Sequence, residues 1–469
     1  MQTIFSRNLE KNLKTLQERL HLDVNDDVVV RRFSALGQDC ALLYVEGLSD
    51  GEQMAQHILR PMMNSPLFLS GRSAAEQAMQ NVLTVPEAES GPEIAQALDD
   101  LLRGLCLLLI DGCDQALRID LRSYSRRALS TPQNETVVVG PNDAFNETLR
   151  DNLTILHRRL PSPDFVCSIR KVGTETPGQV ALCYLDGVCP AETVEELQRR
   201  LDGVGLDYVL SAGTLEQLIE DDPYAPLPQM VGTERPDRVV SFLMEGQAVL
   251  LLDGSPRALA LPVSLWHLFH APDDSYMRWQ YGTFMRLLRL FGALVTLLLP
   301  AVFVSLVVYH PITIPMTLLT SIMQSRTNVP INLFEETLLM VAVFALINES
   351  AIRIPGMMGS SLGLVSTLIL GTAAVDAGLV SPLLIIVVAL SGLGSYAMPN
   401  YPLSFAFRLG QVALLLAAGI TGVSGLCYAV VMLLCWVAAM ESLGQPFLAP
   451  GSPRRTHNPD LLFRAPTFR

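Results

Sequence analysis

An α/β soluble region made of two duplicated subdomains, followed by an all-α polytopic membrane domain, is the architecture this sequence predicts. Three observations predict it. Charge is segregated: residues 1–281 carry 40 acidic and 24 basic side chains, whereas Gly282–Pro446 carries five of each. The second half also holds four long uncharged runs, Leu290–Tyr309, Ile354–Val375, Ala377–Phe407 and Leu409–Met440, of 20, 22, 31 and 32 residues. Finally, the first half repeats itself.

The repeat is visible in three stretches in the same order. Leu9-x-x-Asn12-Leu13-x-x-Leu16-x-x-Arg19-Leu20 recurs as Leu149-x-x-Asn152-Leu153-x-x-Leu156-x-x-Arg159-Leu160, offset by 140. Ala41–Gly47 matches Ala181–Gly187 at that offset, and Gly104–Gly112 answers Gly246–Gly254 at 142. The expected subdomains are 1–135 and 136–275, with a junction at Ser130–Phe145 that contains Pro132, Gly140 and Pro141.

Each copy opens on an amphipathic helix, with Leu9, Leu13, Leu16 and Leu20 forming one stripe of the first. Short apolar strands follow, ending in Asp/Glu-Gly turn chemistry. Helical patterns at Val194–Leu201 and Leu215–Glu220 lie between strands, and that alternation reads as α/β. Asp111-Gly112 and Asp253-Gly254 read as strands ending in turns, with ligand sites as the alternative. The hydrophilic run Thr233-Glu234-Arg235-Pro236-Asp237-Arg238 is either a salt-bridged structural turn or a partner-docking segment.

Several chemistries are excluded. No P-loop, dinucleotide fingerprint or nucleophile elbow occurs, so no enzyme is expected. The eight cysteines form no CxxC pair and no metal pattern with histidine, so neither metal nor cofactor is expected. The acidic first half argues against nucleic acid.

The membrane domain is expected at 276–446, with roughly four to six spans at about 20 apolar residues each. A cytoplasmic tail, 447–469, follows. The amino terminus lacks an apolar signal core, so the soluble half is expected to stay cytosolic. Arg278, Arg286 and Arg289 precede the first run, and Arg454, Arg455, Arg464 and Arg469 follow the last. By the positive-inside rule both flanks are cytoplasmic, which requires an even number of crossings.

Along this domain, the first span carries Pro300 as a tolerated kink. Residues 311–330 are rich in proline and enclose Met316–Met323, too short to span, so an interfacial amphipathic segment is expected. Asn328, Asn332, Glu335 and Glu336 then open a helix whose far end, Leu338–Pro355, carries Glu349 and Arg353. Ionisable groups at membrane depth cost several kcal/mol unless paired or facing water or protein. Glu349 and Arg353 are four apart in the favourable order, which suits either a snorkelling pair or a pore-lining gate. Glu336 lies 13 residues before Glu349, about 20 Å along a helix, so the two carboxylates are expected near opposite faces of the bilayer. For Glu335 and Glu336, capping of the helix start is the alternative. Gly356, Gly359 and Gly363 permit close helix approach, while Ser360, Ser361, Ser366, Thr367 and Thr372 suit a wetted wall. Asp376 is a loop acid or a cation site at a pore mouth. Met398–Pro402 breaks the third run, and Gly419, Gly422 and Gly425 divide the fourth into one long helix or a hairpin.

The candidate ion path read from these residues is Glu336, Glu349, Arg353, Ser360, Thr372 and Asp376. Three functions remain open at this point: a gated channel subunit, a signalling scaffold merely anchored in the membrane, and a secondary transporter subunit. No inverted repeat among the spans supports the last.

Taken together, the chain resembles the A subunits of GerA-type spore germination receptors, with SpoVAF proteins as close relatives. The resemblance runs through Gly140-Pro141-x-Asp143-Ala144-Phe145, Thr233–Arg238, Asp253-Gly254-x-Pro256, Asp274-x-Tyr276 and Arg286-x-x-Arg289. It continues in Glu336-x-x-x-Met340-x-x-x-Phe344, Glu349-x-x-x-Arg353-x-Pro355, Gly371-x-Ala373-Ala374-Val375 and Ser442-x-Gly444-x-Pro446-Phe447. It implies a multi-pass subunit of the inner spore membrane whose soluble half faces the core. The partners it implies are a transporter-like B subunit, a C-type lipoprotein, membrane lipid and further copies of the chain in a homo-oligomer. The activity it implies is a nutrient-gated channel for monovalent cations. This chain departs from the family pattern at Pro330-Ile331-Asn332, at Val341, at Asn348 in place of an arginine, and at Ser360 and Thr372 in place of glutamines; several of these are polar positions near the path, so the resemblance adds Asn348 to the candidate ion path.

Overall fold

The computed structural model describes residues 3–35, 37–65, 74–122, 132, 135, 137, 139–353, 371–451 and 463–464. It divides into two compact units, residues 1–221 with 230–262, and residues 222–229 with 263–469.

The first unit is built on two five-stranded antiparallel sheets. Strands β1 (Val28–Ala35), β2 (Gln38–Val45), β3 (Ala88–Gly91), β4 (Cys106–Ile110) and β5 (Ala116–Ile119) stand in the order β1-β2-β4-β5-β3. Strands β6 (Phe165–Val172), β7 (Gly178–Leu185), β8 (Val231–Thr233), β9 (Ala248–Leu252) and β10 (Ala258–Leu261) take the matching order β6-β7-β9-β10-β8. Even the register is repeated: Leu42 faces Leu108, and Leu182 faces Leu250.

The strands read as continuous apolar runs because both faces of each sheet are covered. In the first sheet Leu42, Cys106, Leu108 and Ile110 enter one core with Met54, Ile58 and Met62 of the helical segment 51–64. Their neighbours Ala41, Leu43, Leu107 and Leu109 enter another. That second core is closed by helices α1 (Leu9–Leu20) and α2 (Ile94–Leu102). The second copy supplies α3 (Leu149–Arg159), α4 (Ala191–Asp202), α5 (Ala212–Ile219) and α6 (Pro236–Met244).

The repeated polar residues repeat their hydrogen bonds. The Asp111 carboxylate accepts from the Leu9 amide at 2.9 Å and the Asp253 carboxylate from the Leu149 amide at 3.0 Å. Each aspartate thus satisfies an orphan donor in the first turn of its own copy's leading helix. Asn12 and Asn152 clasp the backbone of Ser6 and Asn146 in the same way, each accepting from the amide at 2.8 Å. Gly112 and Gly254 turn the chain at φ +80° and +82°, which only glycine adopts freely. The copies are joined through buried Asp27, which meets Arg150 Nη1 and His157 Nε2, both at 3.1 Å.

The second unit is helical: α7 (Trp279–Val304), α8 (Met316–Ser325), α9 (Leu333–Arg353), α10 (Pro382–Tyr396), α11 (Tyr401–Thr421) and α12 (Val423–Ala439). Among the described residues, two helical stretches, Trp279–Tyr309 and Tyr401–Thr421, are long and apolar enough to cross a membrane; α10 and α12 are apolar but shorter. The break at 397–400 overlaps the expected Met398–Pro402 segment, with Asn400 capping α11 at 3.1 Å. Gly422, at φ +69°, ends α11. Helix α12 then folds back, bringing Leu426 onto Leu414 and Ala418, so the fourth apolar run is a hairpin.

Glycine sets the spacing of these helices. A side chain at Gly394 would strike the Gly292 carbonyl, and one at Gly392 would overlap the Phe344 ring. Helices α7, α10 and α9 therefore approach more closely than larger residues allow.

Candidate functional site

The polar side chains of the helical unit collect in one region. At the α7–α10 crossing, Thr296 Oγ1 donates to the Ser391 carbonyl at 2.9 Å, and Ser391 Oγ returns a bond to the Thr296 carbonyl at 3.2 Å. Gln411 of α11 donates to Ser391 Oγ at 2.9 Å, tying a third helix into the knot. Ser404 Oγ donates to the Ser395 carbonyl at 2.9 Å and takes a bond from Arg408 Nη2 at 3.3 Å.

Beside this knot lies a cavity of about 530 Å³ between α9, α10 and α11. Asn348, Glu349, Ser391, Ser395, Arg408 and Gln411 line its polar side. Phe344, Leu346, Val388, Phe405, Leu409 and Val412 line the rest. Asn348 is 4% exposed, and its Oδ1 has no hydrogen-bond partner among the described residues. The same holds for Arg408 Nε. An unsatisfied buried donor and acceptor each cost about 1–3 kcal/mol, so this cavity is polar where packing alone would have made it apolar.

Of the expected site residues, Asn348 and Glu349 come together here. Arg353 ends α9 with its side chain outside the described residues, and Ser360 lies outside them altogether. Thr372 and Asp376 are exposed on the helical stretch 371–376 and are not among the residues lining the cavity.

Glu336 has a different environment. It is fully buried, and its Oε1 accepts from the Ser381 amide at 2.6 Å and the Ser381 hydroxyl at 2.8 Å. Its Oε2 takes Arg326 Nε at 3.2 Å. One carboxylate thereby fastens the end of α8 and the start of α10 to the first turn of α9. Glu335 beside it is exposed.

Sequence reasoning passed over Arg408, Gln411 and the serines of α10. A signal existed for Arg408: it stands alone between two uncharged runs. Of the flanking arginines, Arg286 and Arg289 are buried against Asp274, with Arg289 Nη1 at 2.6 Å and Arg286 Nε at 3.3 Å from its carboxylate. Arg464 of the tail donates to the Met277 carbonyl at 2.5 Å and the Ser275 carbonyl at 2.9 Å.

The Thr233–Arg238 run belongs to the first unit and forms a latch on the linker between copies. Arg235 is fully buried, pairs with Asp237 at 2.9 and 3.1 Å, and donates to the Pro141 carbonyl at 2.9 Å. Glu135 accepts from Thr233 Oγ1, from the Glu234 amide at 3.2 Å and from Arg238 Nη1 at 2.6 Å.

The family model for the Bacillus/Clostridium GerA spore germination protein matches residues 14–469. The chain is similar to Spore germination protein B1 of Bacillus subtilis (strain 168), 34% identical over 94% of this chain and 91% of that one. It is similar also to the uncharacterized membrane protein YfkQ of the same organism, 31% identical over 98% of this chain and 90% of that one. Among solved structures, it resembles the N-terminal domain of the A subunit of the Bacillus megaterium spore germinant receptor GerK3. That match has a TM-score of 0.45 and 27% identity, over 56% of this chain and 98% of that one.

Proposed function

The chain belongs to the GerA family of spore germination receptor A subunits, and from that premise we propose that it is the conducting subunit of a germinant receptor. In this reading several copies of the helical unit surround a path for monovalent cations in the inner spore membrane. The α/β unit faces the spore core. A transporter-like B subunit and a C-type lipoprotein complete the receptor.

The observation that carries the reading is the cavity polar seam. Asn348, Glu349, Arg408 and Gln411 are polar or charged side chains on otherwise apolar helices. Such groups are retained at membrane depth where they line water, ions or another protein surface. The placement of the flanks supports the topology. The tail reaches back through Arg464 to the residues that precede α7, and Ser442 after α12 accepts from the Val263 amide at 3.1 Å. Entry to and exit from the helical unit thus lie together, which favours an even number of crossings.

The test is current recording from the purified oligomer in planar bilayers, with Glu349→Gln as the perturbation. The expected result is a cation current reduced at least tenfold in the variant, at equal protein incorporation. Unchanged current would overturn the role of Glu349, and no current from the unaltered protein would overturn conduction.

A second reading, the signalling scaffold or SpoVAF-like accessory, draws on Glu336 and the Thr233–Arg238 latch. Both are engaged in internal contacts, as a force-transmitting frame requires. In that case Glu349→Gln leaves germination intact while breaking the latch abolishes it.

A further inference from the structure

Strands β6 and β7 set two cysteines directly opposite each other, Cys167 facing Cys183. Their sulfurs are 3.2 Å apart, and both residues are fully buried. The Asp186 amide donates to the Asp164 carbonyl at 2.8 Å, and bonded pairs alternate with unbonded ones along an antiparallel ladder. Cys167 and Cys183 therefore form a non-hydrogen-bonded pair, where the Cα atoms approach to about 4.5 Å. Two cysteines at that spacing can be bridged without backbone movement. Among the described strands no other cysteine faces a second one: Cys40 faces Phe33 and Ile110, and Cys106 faces Ile119.

The internal duplication supplies a comparison. At the equivalent position the first copy sets Val30 opposite Leu43. An aliphatic pair thus fills this place in the same fold, and packing alone does not call for two sulfurs.

The pair also touches the joint between the copies. The Cys167 amide donates to Asn25 Oδ1 at 3.4 Å, and its carbonyl accepts from the Asp26 amide at 2.9 Å. The Ile169 amide donates to Asp26 Oδ2 at 2.7 Å. The Cys167 thiol lies within hydrogen-bonding reach of the Asp27 carboxylate, the group that meets Arg150 and His157. Burial, reinforced by Cys183 and Asp27, pushes that thiol well above its ordinary range, so the pair rests as two thiols. Burial also bars bulky or charged oxidants and leaves a small uncharged peroxide as the reagent that fits.

We propose that Cys167 and Cys183 are a redox modification site, converted by peroxide into a cross-strand disulfide that loosens the joint between the copies. First the Cys167 sulfur attacks one peroxide oxygen and the O–O bond breaks. Asp27 takes the thiol proton and passes it to the departing oxygen, which leaves as water. The Cys183 sulfur then attacks the sulfur of the resulting sulfenic acid. The S–O bond breaks, and the hydroxide leaves with the Cys183 proton as a second water. Two electrons pass from the thiols to the peroxide. In the product Asp27 has lost the thiol as a donor, which is how the bond reaches the joint.

The experiment treats the full purified chain, fully reduced, with graded hydrogen peroxide. Remaining thiols are then blocked with N-ethylmaleimide in denaturant before digestion without reductant. Mass spectrometry should find the Cys167 and Cys183 peptides joined, at least tenfold more abundant than any other cysteine pair, and dithiothreitol should reverse the link. Sulfoxidation of exposed Met244 in the same digest shows that the oxidant was sufficient. Hydrogen exchange at the Asp26 amide should be at least threefold faster in the oxidised chain. The double variant Cys167→Val with Cys183→Leu reproduces the first copy's pair and should show neither the link nor the peroxide effect on Asp26. Cys183→Ser alone should stop at a Cys167 sulfenic acid, trapped by dimedone. Absence of the link at peroxide levels that oxidise Met244, or preferential linkage of other cysteines, would overturn the site. Unchanged Asp26 exchange in the linked chain would overturn its coupling to the joint. The mass measurement on the unaltered chain decides the first point even where a variant does not fold.

Discussion

Replacing Glu336 by Ala tests whether this carboxylate is a fastener or an open channel mouth. The substitution removes a fully buried anion that holds Arg326 Nε at 3.2 Å and both donors of Ser381. Breaking a buried ion pair by deleting one partner costs about 3–5 kcal/mol, because the other charge is left uncompensated. The Arg326 side chain is 20% exposed and can regain some water, which places the cost near the lower end, about 3 kcal/mol. That corresponds to roughly a hundredfold in a local opening equilibrium. The assay is hydrogen–deuterium exchange of the full chain in nanodiscs, read at the Ser381 amide and across α8. In Glu336→Ala the protection of that amide should fall on the order of a hundredfold. The double variant Glu336→Gln with Arg326→Gln should recover much of it, since neither charge is then stranded. Unchanged protection in Glu336→Ala, or a double variant worse than the sum of its parts, would refute the fastener.

Three further outcomes follow from the same structure. Arg235→Met removes the buried guanidinium that binds Asp237 and the Pro141 carbonyl, so it should destabilise the first unit by roughly 3–5 kcal/mol, seen as a lower unfolding midpoint and faster exchange at the Phe145 amide. Hydrogen bonds from Arg199 and Arg200 hold the Glu196 carboxyl down at about 2, from an ordinary 4.5. Its stabilising contribution is therefore complete above pH 4.5 and lost as pH falls toward 2, and Glu196→Gln should flatten that acid limb of the unfolding profile. Burial pushes the Cys40 thiol up to about 12 and Cys106 and Cys189 to about 11, whereas Cys427 and Cys435 are exposed on α12. With α12 in lipid, a charged maleimide should label none of these five in native membranes and Cys427 and Cys435 only after detergent denaturation, as read by mass spectrometry.

The duplication was legible because the leading-helix stripe and the Asp-Gly turns recur at a nearly constant offset. The sorting of Leu42 and Leu43 into separate cores was not, because a run apolar on both faces carries no period. In the helical unit, Glu349 stands out as an acid in an apolar helix, and Asn348 as a departure from the family pattern beside it. Their meeting with Arg408 depends on how closely α9, α10 and α11 pack. That spacing is set by tertiary fits such as Phe344 on Gly392, which no local pattern encodes. The partners of Glu336 were hidden for a related reason. Capping its own helix and clamping two others require the same residue at the same place, and only the loop paths distinguish them.

The two copies also explain the Thr233–Arg238 run. Each sheet ends in a short edge strand, which must be blunted against stray pairing. In the first copy β3 places Glu89 opposite Arg118 of β5, and Arg118 reaches both Glu89 and Asp100 at 2.9 Å. At the same position the second copy places Val231 opposite Ala260, so charge is absent where the first copy uses it. The second edge is covered instead. Glu135 of the linker bonds Thr233, Glu234 and Arg238, while Arg235 grips Pro141 further along that linker. The same physical problem is solved in one copy by a charged pair, exposed Glu89 on buried Arg118, and by chain cover in the other. The charge density of the run is accounted for by that cover: the side chains of Arg235, Asp237 and Arg238 are each at least nine-tenths buried within the latch. A docking role would therefore have to act through the linker, by releasing the β8 edge, and not through these side chains directly.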